Sequence, residues 1–578
     1  MLIFILNKKI ITSLCLIRER SILNNRYILI LLKSLIFINI VNNLNNMPLS
    51  RSIGYFSNEY HYNYNLYIIS MIITTIIYII LNINSFIPQK LNINSYFTIL
   101  NNMKFYYIHY KYKILKKIWN QLNILEYYLI ILFVLIGAML IIYSGDLISL
   151  FLSIELQSYG LYIISSIYKN SELSNYSGLM YFLLGSLSSS IILLSIACIY
   201  YYIGNTNLNY IYIIYNLNNE IYLEFNNNFN INLLNNISYQ IYWYNILYNL
   251  HYFLILSSIG FLFKISAAPF HFWAPTVYDG VPTIVTMFIA IIPKISILIF
   301  ISNLIKYTCI SFIKINLLNN LIFSAILSIL IGSILGLSQL RIKKLYAYST
   351  INHIGYILIA LAINSLESIK SFLFYLIQYS FLNLNVFIIL YSLGYLMLII
   401  KNNNIIDKFN SPIQYIYQLK GYFYLNPILA ISLFISLLSF IGIPPLIGFY
   451  GKQLILSSTI EAKKYFLVLL IIITSVISAI YYLNLIKIKF FLKPKLNIIF
   501  KNLKIGFSFI DLYMYINFFQ KIIFLEKGLK SLKYYNVLYT LSSNITIFIV
   551  IITIFSLVYI CIHDRFIILI NILSIYFL

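Results

Sequence analysis

Charge is what this sequence has least of. Only 9% of its 578 residues are Asp, Glu, Lys or Arg, against about 25% in an ordinary soluble domain, and that excludes a water-soluble fold. Cysteine is also sparse. The four present, Cys15, Cys198, Cys309 and Cys561, are far apart and form no C-x-x-C pair, so neither iron–sulfur ligation nor a zinc site is indicated. The glycine-rich phosphate signatures G-x-G-x-x-G and G-x-x-x-x-G-K-[ST] are missing too, which leaves redox and nucleotide chemistry to other chains. Acidic residues are scarcest of all: 15 Asp and Glu face 39 Lys and Arg, a formal charge of +24. The basic residues sit in loops between apolar runs, so the excess reads as membrane topology and not as nucleic-acid binding.

What fills the space is hydrophobic, 61% of the chain. Apolar runs of 18 or more residues recur throughout, each long enough to cross a hydrocarbon core roughly 30 Å thick as a helix. A closed barrel would alternate apolar and polar residues instead. The sequence predicts an all-α membrane protein of about fourteen transmembrane helices. They fall near 2–17, 27–42, 65–88, 125–144, 146–168, 177–203, 251–270, 283–305, 318–338, 343–363, 371–400, 426–448, 464–486 and 543–562. Lys8, Lys9 and Lys33 interrupt the first two. The first run has no basic region ahead of it and no clear cleavage site, so it is not read as a signal peptide. Usage rich in Ile, Asn, Tyr, Phe and Lys points to an AT-rich genome such as an organelle's.

Basic residues set the orientation. Loops after odd-numbered spans hold roughly 26 of them, including Lys111, Lys113, Lys116, Lys117, Arg341, Lys343 and Lys344, against roughly six after even-numbered spans. The odd loops are therefore expected on the positive side, the matrix in an organelle, with both termini opposite. The connection 204–250 has no Lys or Arg and is expected as an ordered loop on the side of the termini.

Two segments break the helical pattern inside apolar spans. One runs Lys264-Ile-Ser-Ala-Ala-Pro269-Phe-His271-Phe-Trp273-Ala-Pro275-Thr-Val-Tyr-Asp279-Gly280-Val-Pro282, the other Gly442-Ile-Pro444-Pro445-Leu-Ile-Gly448-Phe-Tyr-Gly451-Lys452. Proline removes a backbone donor and clashes with the preceding turn, so each should interrupt its helix at membrane depth. Grouping spans four to eight and nine to thirteen gives two five-helix units in which the fourth helix, number seven or twelve, is broken. Such paired breaks point to inverted repeats with an ion site near the midplane. The expected organisation is 1–124 as three N-terminal helices and a loop, 125–305 and 306–490 as the two repeats, and 491–578 as a loop and a last helix.

Four charges are surrounded by apolar helix: Glu155, Lys264, Lys294 and Lys452. Each costs about 2.5–3.5 kcal/mol at a bilayer centre, so they must face protein or water. A buried ion pair binding two helices is the bland alternative, but three lysines against one glutamate leave at least two cations unbalanced. Asp146, at the start of its helix, reads more readily as a cap on the positive dipole end. Asp279 could tie the first break together, and His271 and Trp273 read as packing elements of it. His353 stands open between structure and proton carriage, since histidine titrates near neutral pH.

The segments Ser144-Gly-Asp146-Leu-Ile-Ser-Leu-Phe-Leu-Ser-Ile-Glu155-Leu-Gln-Ser-Tyr-Gly160, Phe263-Lys264-Ile-Ser-Ala-Ala-Pro269-Phe-His271-Phe-Trp273-Ala-Pro275, Tyr346-Ala-Tyr-Ser-Thr-Ile-Asn-His353-Ile-Gly355-Tyr356 and Gly442-Ile-Pro-Pro445-Leu-Ile-Gly-Phe449 together resemble the subunit 2 family of respiratory complex I, NADH:ubiquinone oxidoreductase. The resemblance spans about 125–490 in the right order. It implies an antiporter-like subunit of the mitochondrial inner membrane that translocates protons while other subunits carry electrons from NADH to ubiquinone. By the same resemblance Glu155 is the fifth-helix glutamate, Lys264 the lysine of the broken seventh helix, Lys294 the connecting eighth-helix lysine and Lys452 the terminal twelfth-helix lysine. It further implies no cofactor in this chain, with FMN, iron–sulfur clusters and ubiquinone in other subunits. Expected partners are antiporter-like subunit 4, the small subunits 4L, 6 and 3, and lipids, with no nucleic acid. A stand-alone cation/proton antiporter is the alternative.

Overall fold

The computed structural model describes residues 53–62, 64–84, 126–167, 171–214, 250, 252–308, 314–400, 413–424, 426–491 and 543–577. The expected spans 2–17 and 27–42, and the loops 85–125, 215–249 and 492–542, lie outside them. The described chain is helical apart from a two-stranded antiparallel hairpin, β1 (Ile53–Tyr55) and β2 (Tyr60–Tyr62), with Ile53 opposite Tyr62. The principal helices are α1 (Tyr64–Asn84), α2 (Glu126–Tyr143), α3 (Leu147–Ser165), α4 (Glu172–Ile203), α5 (Tyr252–Ile265), α6 (Trp273–Gly280), α7 (Thr283–Thr308), α8 (Lys314–Leu337), α9 (Ile342–Ile363), α10 (Leu366–Ile400), α11 (Pro427–Ile441), α12 (Ile447–Glu461), α13 (Tyr465–Phe490) and α14 (Ser543–Phe577).

Eight of these are long and apolar enough to cross a membrane, and α1, α2, α5 and α11 are shorter apolar helices. Every span expected from residue 65 onward thus has a helical counterpart. Local sequence sets the ends. Asp146 caps α3 by accepting from the Ile148 amide at 3.4 Å, Asn426 caps α11 by accepting from Leu429 N at 3.2 Å ahead of Pro427, and Gly204 closes α4 in the left-handed conformation, the residue types those positions favour. The last helix runs to Phe577, well beyond the expected end at 562. The charged run His563-Asp564-Arg565 lies within the helix, with Asp564 exposed.

Segments α2–α7 and α8–α13 are the two repeats, and in each the fourth helix is broken, α5/α6 in the first and α11/α12 in the second. Five crossings are an odd number, so the second repeat enters the membrane from the opposite face and is inverted. A shift of 195 residues relates their opening hairpins. A Cβ on Gly137 of α2 would stand 2.7 Å from the Gln157 amide nitrogen of α3, and one on Gly332 of α8 would stand 2.7 Å from that of Asn352 in α9. Only glycine admits that approach. In this register Asp146 matches Arg341 and Glu155 matches Thr350.

The centre is built from α7, α9 and α10, whose most apolar windows are 94%, 89% and 94% buried, whereas α4, α13 and α14 turn most of their surface outward. Helix α14 packs against α10, α11 and α12, and also against α7 and α1, so it straddles both repeats. The hairpin docks on the turn between α2 and α3, where Gly145 N donates to Glu59 O at 2.7 Å.

Candidate proton pathway

The break between α5 and α6 positions the first lysine. Ser266 takes a positive φ of 67° and the chain turns through Pro269 before α6 begins at Trp273, whose indole Nε1 donates to Phe263 O at 2.9 Å. Lys264, one residue from the end of α5, is thereby aimed at α3. Its Nζ donates to the Tyr162 hydroxyl at 3.1 Å and lies 4.0 Å from Glu155 Oε1, with the two side chains 7% and 13% exposed. Glu155 Oε1 is buried without a hydrogen-bond partner. A separation of 4.0 Å is an ion contact with no hydrogen bond closed across it, so the pair can tighten or part by a small side-chain motion.

Lys294 lies at the molecular centre, on α7 immediately after Pro293. It is fully buried, donates to Thr350 Oγ1 of α9 at 3.2 Å, and its Nζ is 5.6 Å from the centre of the Tyr278 ring. Nearby, Gln157 Nε2 donates to Ser296 Oγ at 3.3 Å. Since Gln157 stands two residues from Glu155 and Ser296 two from Lys294, this contact ties the carboxylate's helix directly to the central lysine's helix.

The second break places Lys452. Gly442 closes α11 at φ 90°, and a side chain there would also press on the Lys452 stem, 3.0 Å from Cδ. Lys452 Nζ donates to the freed carbonyl of Ile441 at 2.7 Å and lies 5.9 Å from the Tyr356 ring centre. A cation at the carbonyl end of a helix is electrostatically favoured. The lysines thus sit on opposite sides of their breaks, Lys264 before the first and Lys452 after the second.

The secondary candidates separate. Asp146 is the cap on α3 described above and also bridges to Asn207. Asp279 forms an ion pair with Arg341, fastening α6 to the start of α9. His353 is held by two hydroxyls, Nδ1 to Tyr375 at 2.7 Å and Nε2 to Tyr482 at 3.2 Å, and its ring lies 4.9 Å from that of Phe440, beside the carbonyl that receives Lys452. His271 Nδ1 is 3.2 Å from Pro269 O, within the break itself.

Two buried lysines were missed by the sequence reading. Lys343, assigned above to a loop, lies in the first turn of α9, and its Nζ reaches Val281 O at 2.5 Å. Lys489, in a basic segment also read as loop, is buried in the last turn of α13 with Nζ 3.4 Å from the carbonyls of Leu429 and Ala430. Both stand in clusters of basic residues, which hid them. The available signal was the apolar flank, Leu345-Tyr346 after one and Phe490-Phe491 after the other. Among the described residues, Lys264 is the only one of these five lysines within 4.0 Å of a carboxylate.

A family model described as NADH:quinone oxidoreductase/Mrp antiporter, transmembrane, matches residues 144–478. The chain belongs to this family. All four principal charges lie inside the matched segment. Among curated relatives, NADH-ubiquinone oxidoreductase chain 2 of Rhizopus oryzae is 47% identical over 363 residues, which is 63% of this chain and 63% of that protein. NADH-quinone oxidoreductase subunit N of Pelagibacter ubique is 36% identical over 379 residues, 65% of this chain and 71% of the relative. The matched part thus spans somewhat less than two thirds of the Rhizopus protein. Solved structures share the fold. A chain of respiratory complex I from Thermus thermophilus superposes with a TM-score of 0.58 at 20% identity, covering 82% of this chain and 86% of its own. A chain of the Mrp complex from a Dietzia species gives 0.64 at 14% identity, with 95% and 92% covered.

Proposed function

We propose that this family member is a proton-translocating membrane-arm subunit of a complex that oxidises NADH and reduces ubiquinone in the mitochondrial inner membrane. Its own part is a relay from Glu155 through Lys264 and Lys294 to Lys452. The observation that carries the reading is the placement of Glu155, Lys264 and Lys294 on three helices joined by direct polar contacts, with the central lysine held, among the described residues, by neutral groups. Burial in low dielectric generally disfavours the charged form of a lysine, and a nearby carboxylate favours it. A change in the Glu155–Lys264 separation would then load or release a proton at the lysine. Moving one charge against about 150 mV takes roughly 3.5 kcal/mol. Electron transfer in other subunits, which would carry FMN, iron–sulfur clusters and ubiquinone, supplies that energy in this reading. Antiporter-like subunit 4 and the small subunits 4L, 6 and 3 would be the neighbours. The basic loops after odd spans would face the matrix.

The likeness of fold to the Mrp complex supports a second reading, a stand-alone cation/proton antiporter. Lysine ammonium groups repel sodium, and the buried charges are mostly lysines, so protons suit the path better. Purification of the chain from native membranes decides between them. Co-migration with an NADH-oxidising, quinone-reducing complex is expected; isolation apart from any such activity would reject the first reading.

A further inference from the structure

Lys343 occupies a junction that the four-residue relay leaves unused. It is 2% exposed, and its donation to Val281 O places the ammonium where the end of α6 meets the start of α9. The ion pair Asp279–Arg341 flanks it, two residues back along each segment, and the Arg341 side chain is 35% exposed. Solvent therefore reaches the outer edge of this junction. Inward along α9 stand Tyr346, Thr350 and His353, all buried, at spacings of three, seven and ten residues from Lys343 that keep them on one face of the helix. Thr350 is the acceptor of Lys294. The other wall is α6, where the buried Tyr278 precedes Asp279 and holds its ring 5.6 Å from Lys294 Nζ. Two segments, 278–281 and 341–350, thus run side by side from a solvent-touched ion pair to the central lysine, with Lys343 between.

A holding role does not account for the residue type. A carbonyl needs only a neutral donor, Asp279 already has Arg341, and a buried cation opposes insertion. Seven residues of helix cover about 10 Å, a distance that a few bridging waters can span.

We propose that Lys343 is a further proton-carrying residue, the station between the surface pair Asp279–Arg341 and Lys294. The inference rests on the relay reading above. In one transfer the Lys343 ammonium gives a proton, through water beside Thr350, to the neutral amine of Lys294. The resulting Lys343 amine is reprotonated by a proton from bulk solvent, passed through water that sits at the surface pair and is neutral before and after the transfer. Asp279 remains a carboxylate and Arg341 a guanidinium throughout.

The test uses the assembled complex in sealed vesicles, comparing Lys343→Arg, Lys343→Gln and Lys343→His with a parallel Lys294→Arg. Arginine and glutamine can both donate to Val281 O, but neither releases a proton near neutral pH, whereas histidine can. NADH-driven proton uptake is expected to fall at least about fivefold in the arginine and glutamine variants and to recover in part in the histidine variant. Uptake within about twofold of the parent in either Lys343→Arg or Lys343→Gln, while Lys294→Arg is blocked, overturns the role of Lys343 and leaves the relay standing. Normal uptake in Lys294→Arg rejects the relay reading itself. Failure of all three Lys343 variants to assemble would assign the residue to holding α6 on α9, and that also overturns the proposal.

Discussion

In the first repeat a carboxylate faces the lysine of the broken helix, and in the second the matching position holds a hydroxyl. The 195-residue register places Thr350 where Glu155 stands, and Thr350 receives Lys294 where Glu155 approaches Lys264. Among the described residues, Lys452 meets no carboxylate and rests on the Ile441 carbonyl. The same inverted scaffold therefore gives, among the described residues, the lysine of one broken helix a carboxylate counter-charge and that of the other a backbone carbonyl. A mobile carboxylate can change the energy of a buried proton. A helix carbonyl is fixed and offers a constant field. Under the proposed relay, the first repeat would switch and the second would conduct.

The largest effect is expected where that difference originates. Glu155→Gln leaves Lys264 buried without its counter-charge, and removing one partner of a buried pair costs on the order of 3 kcal/mol. Proton pumping and quinone reduction should fall together by about tenfold or more, equivalent to about 1.4 kcal/mol or more in barrier. Reconstituted vesicles report both rates, and normal coupled turnover would remove Glu155 from the switching role. An intermediate effect is expected at its counterpart. Thr350→Val keeps the shape but deletes the acceptor of Lys294, a bond to a charged group worth about 1.5–3 kcal/mol. Thermal unfolding of the purified complex should shift downward and pumping should drop severalfold. An unchanged profile would mean that Lys294 is held by something other than Thr350.

The smallest effect concerns the hairpin, which among the described residues only the first repeat carries on its opening turn. Burial pushes the His61 imidazole below its ordinary value of 6.5, and Nε2 lies 3.4 Å from Asn209 Nδ2. A depressed histidine means that the undocked state binds more protons in acid, so docking is weakened as pH falls below about 6.5 and is fully retained above it. Hydrogen exchange over residues 53–62, corrected for intrinsic rates, should quicken between pH 7.5 and 5.5 relative to the α2–α3 turn. Equal protection at both values would show that His61 does not couple docking to pH.

Most of the architecture was legible because the bilayer leaves few alternatives. Apolar length fixed the spans, and Pro269, Gly442 and Pro445 marked both breaks. Glu155, Lys264, Lys294 and Lys452 stood out as charges inside apolar helix. The one-dimensional pattern could not show which lysine has a carboxylate, because Glu155 and Lys264 are brought together across α3 and α5 by tertiary packing. Nor could it separate Lys343 and Lys489 from exposed neighbours such as Lys487, since basic clusters at helix ends read alike whether a side chain turns in or out. Asp279 was read as a tie within the break, whereas its ion-pair partner Arg341 belongs to the other repeat. Local sequence carries no sign of that contact.

The central claim, a proton relay crossing from one repeat to the other, is tested most directly at Lys294. Arginine would preserve the positive charge and a donor toward Thr350 but stays protonated in proteins, so only proton transfer is removed. The measurement is NADH-driven proton transport by an assembled Lys294→Arg complex, with Lys294→Met and a structural comparison of α7 and α9 as controls for bulk. The account predicts that transport is lost while the helices keep their positions; normal transport in the assembled arginine variant would contradict it.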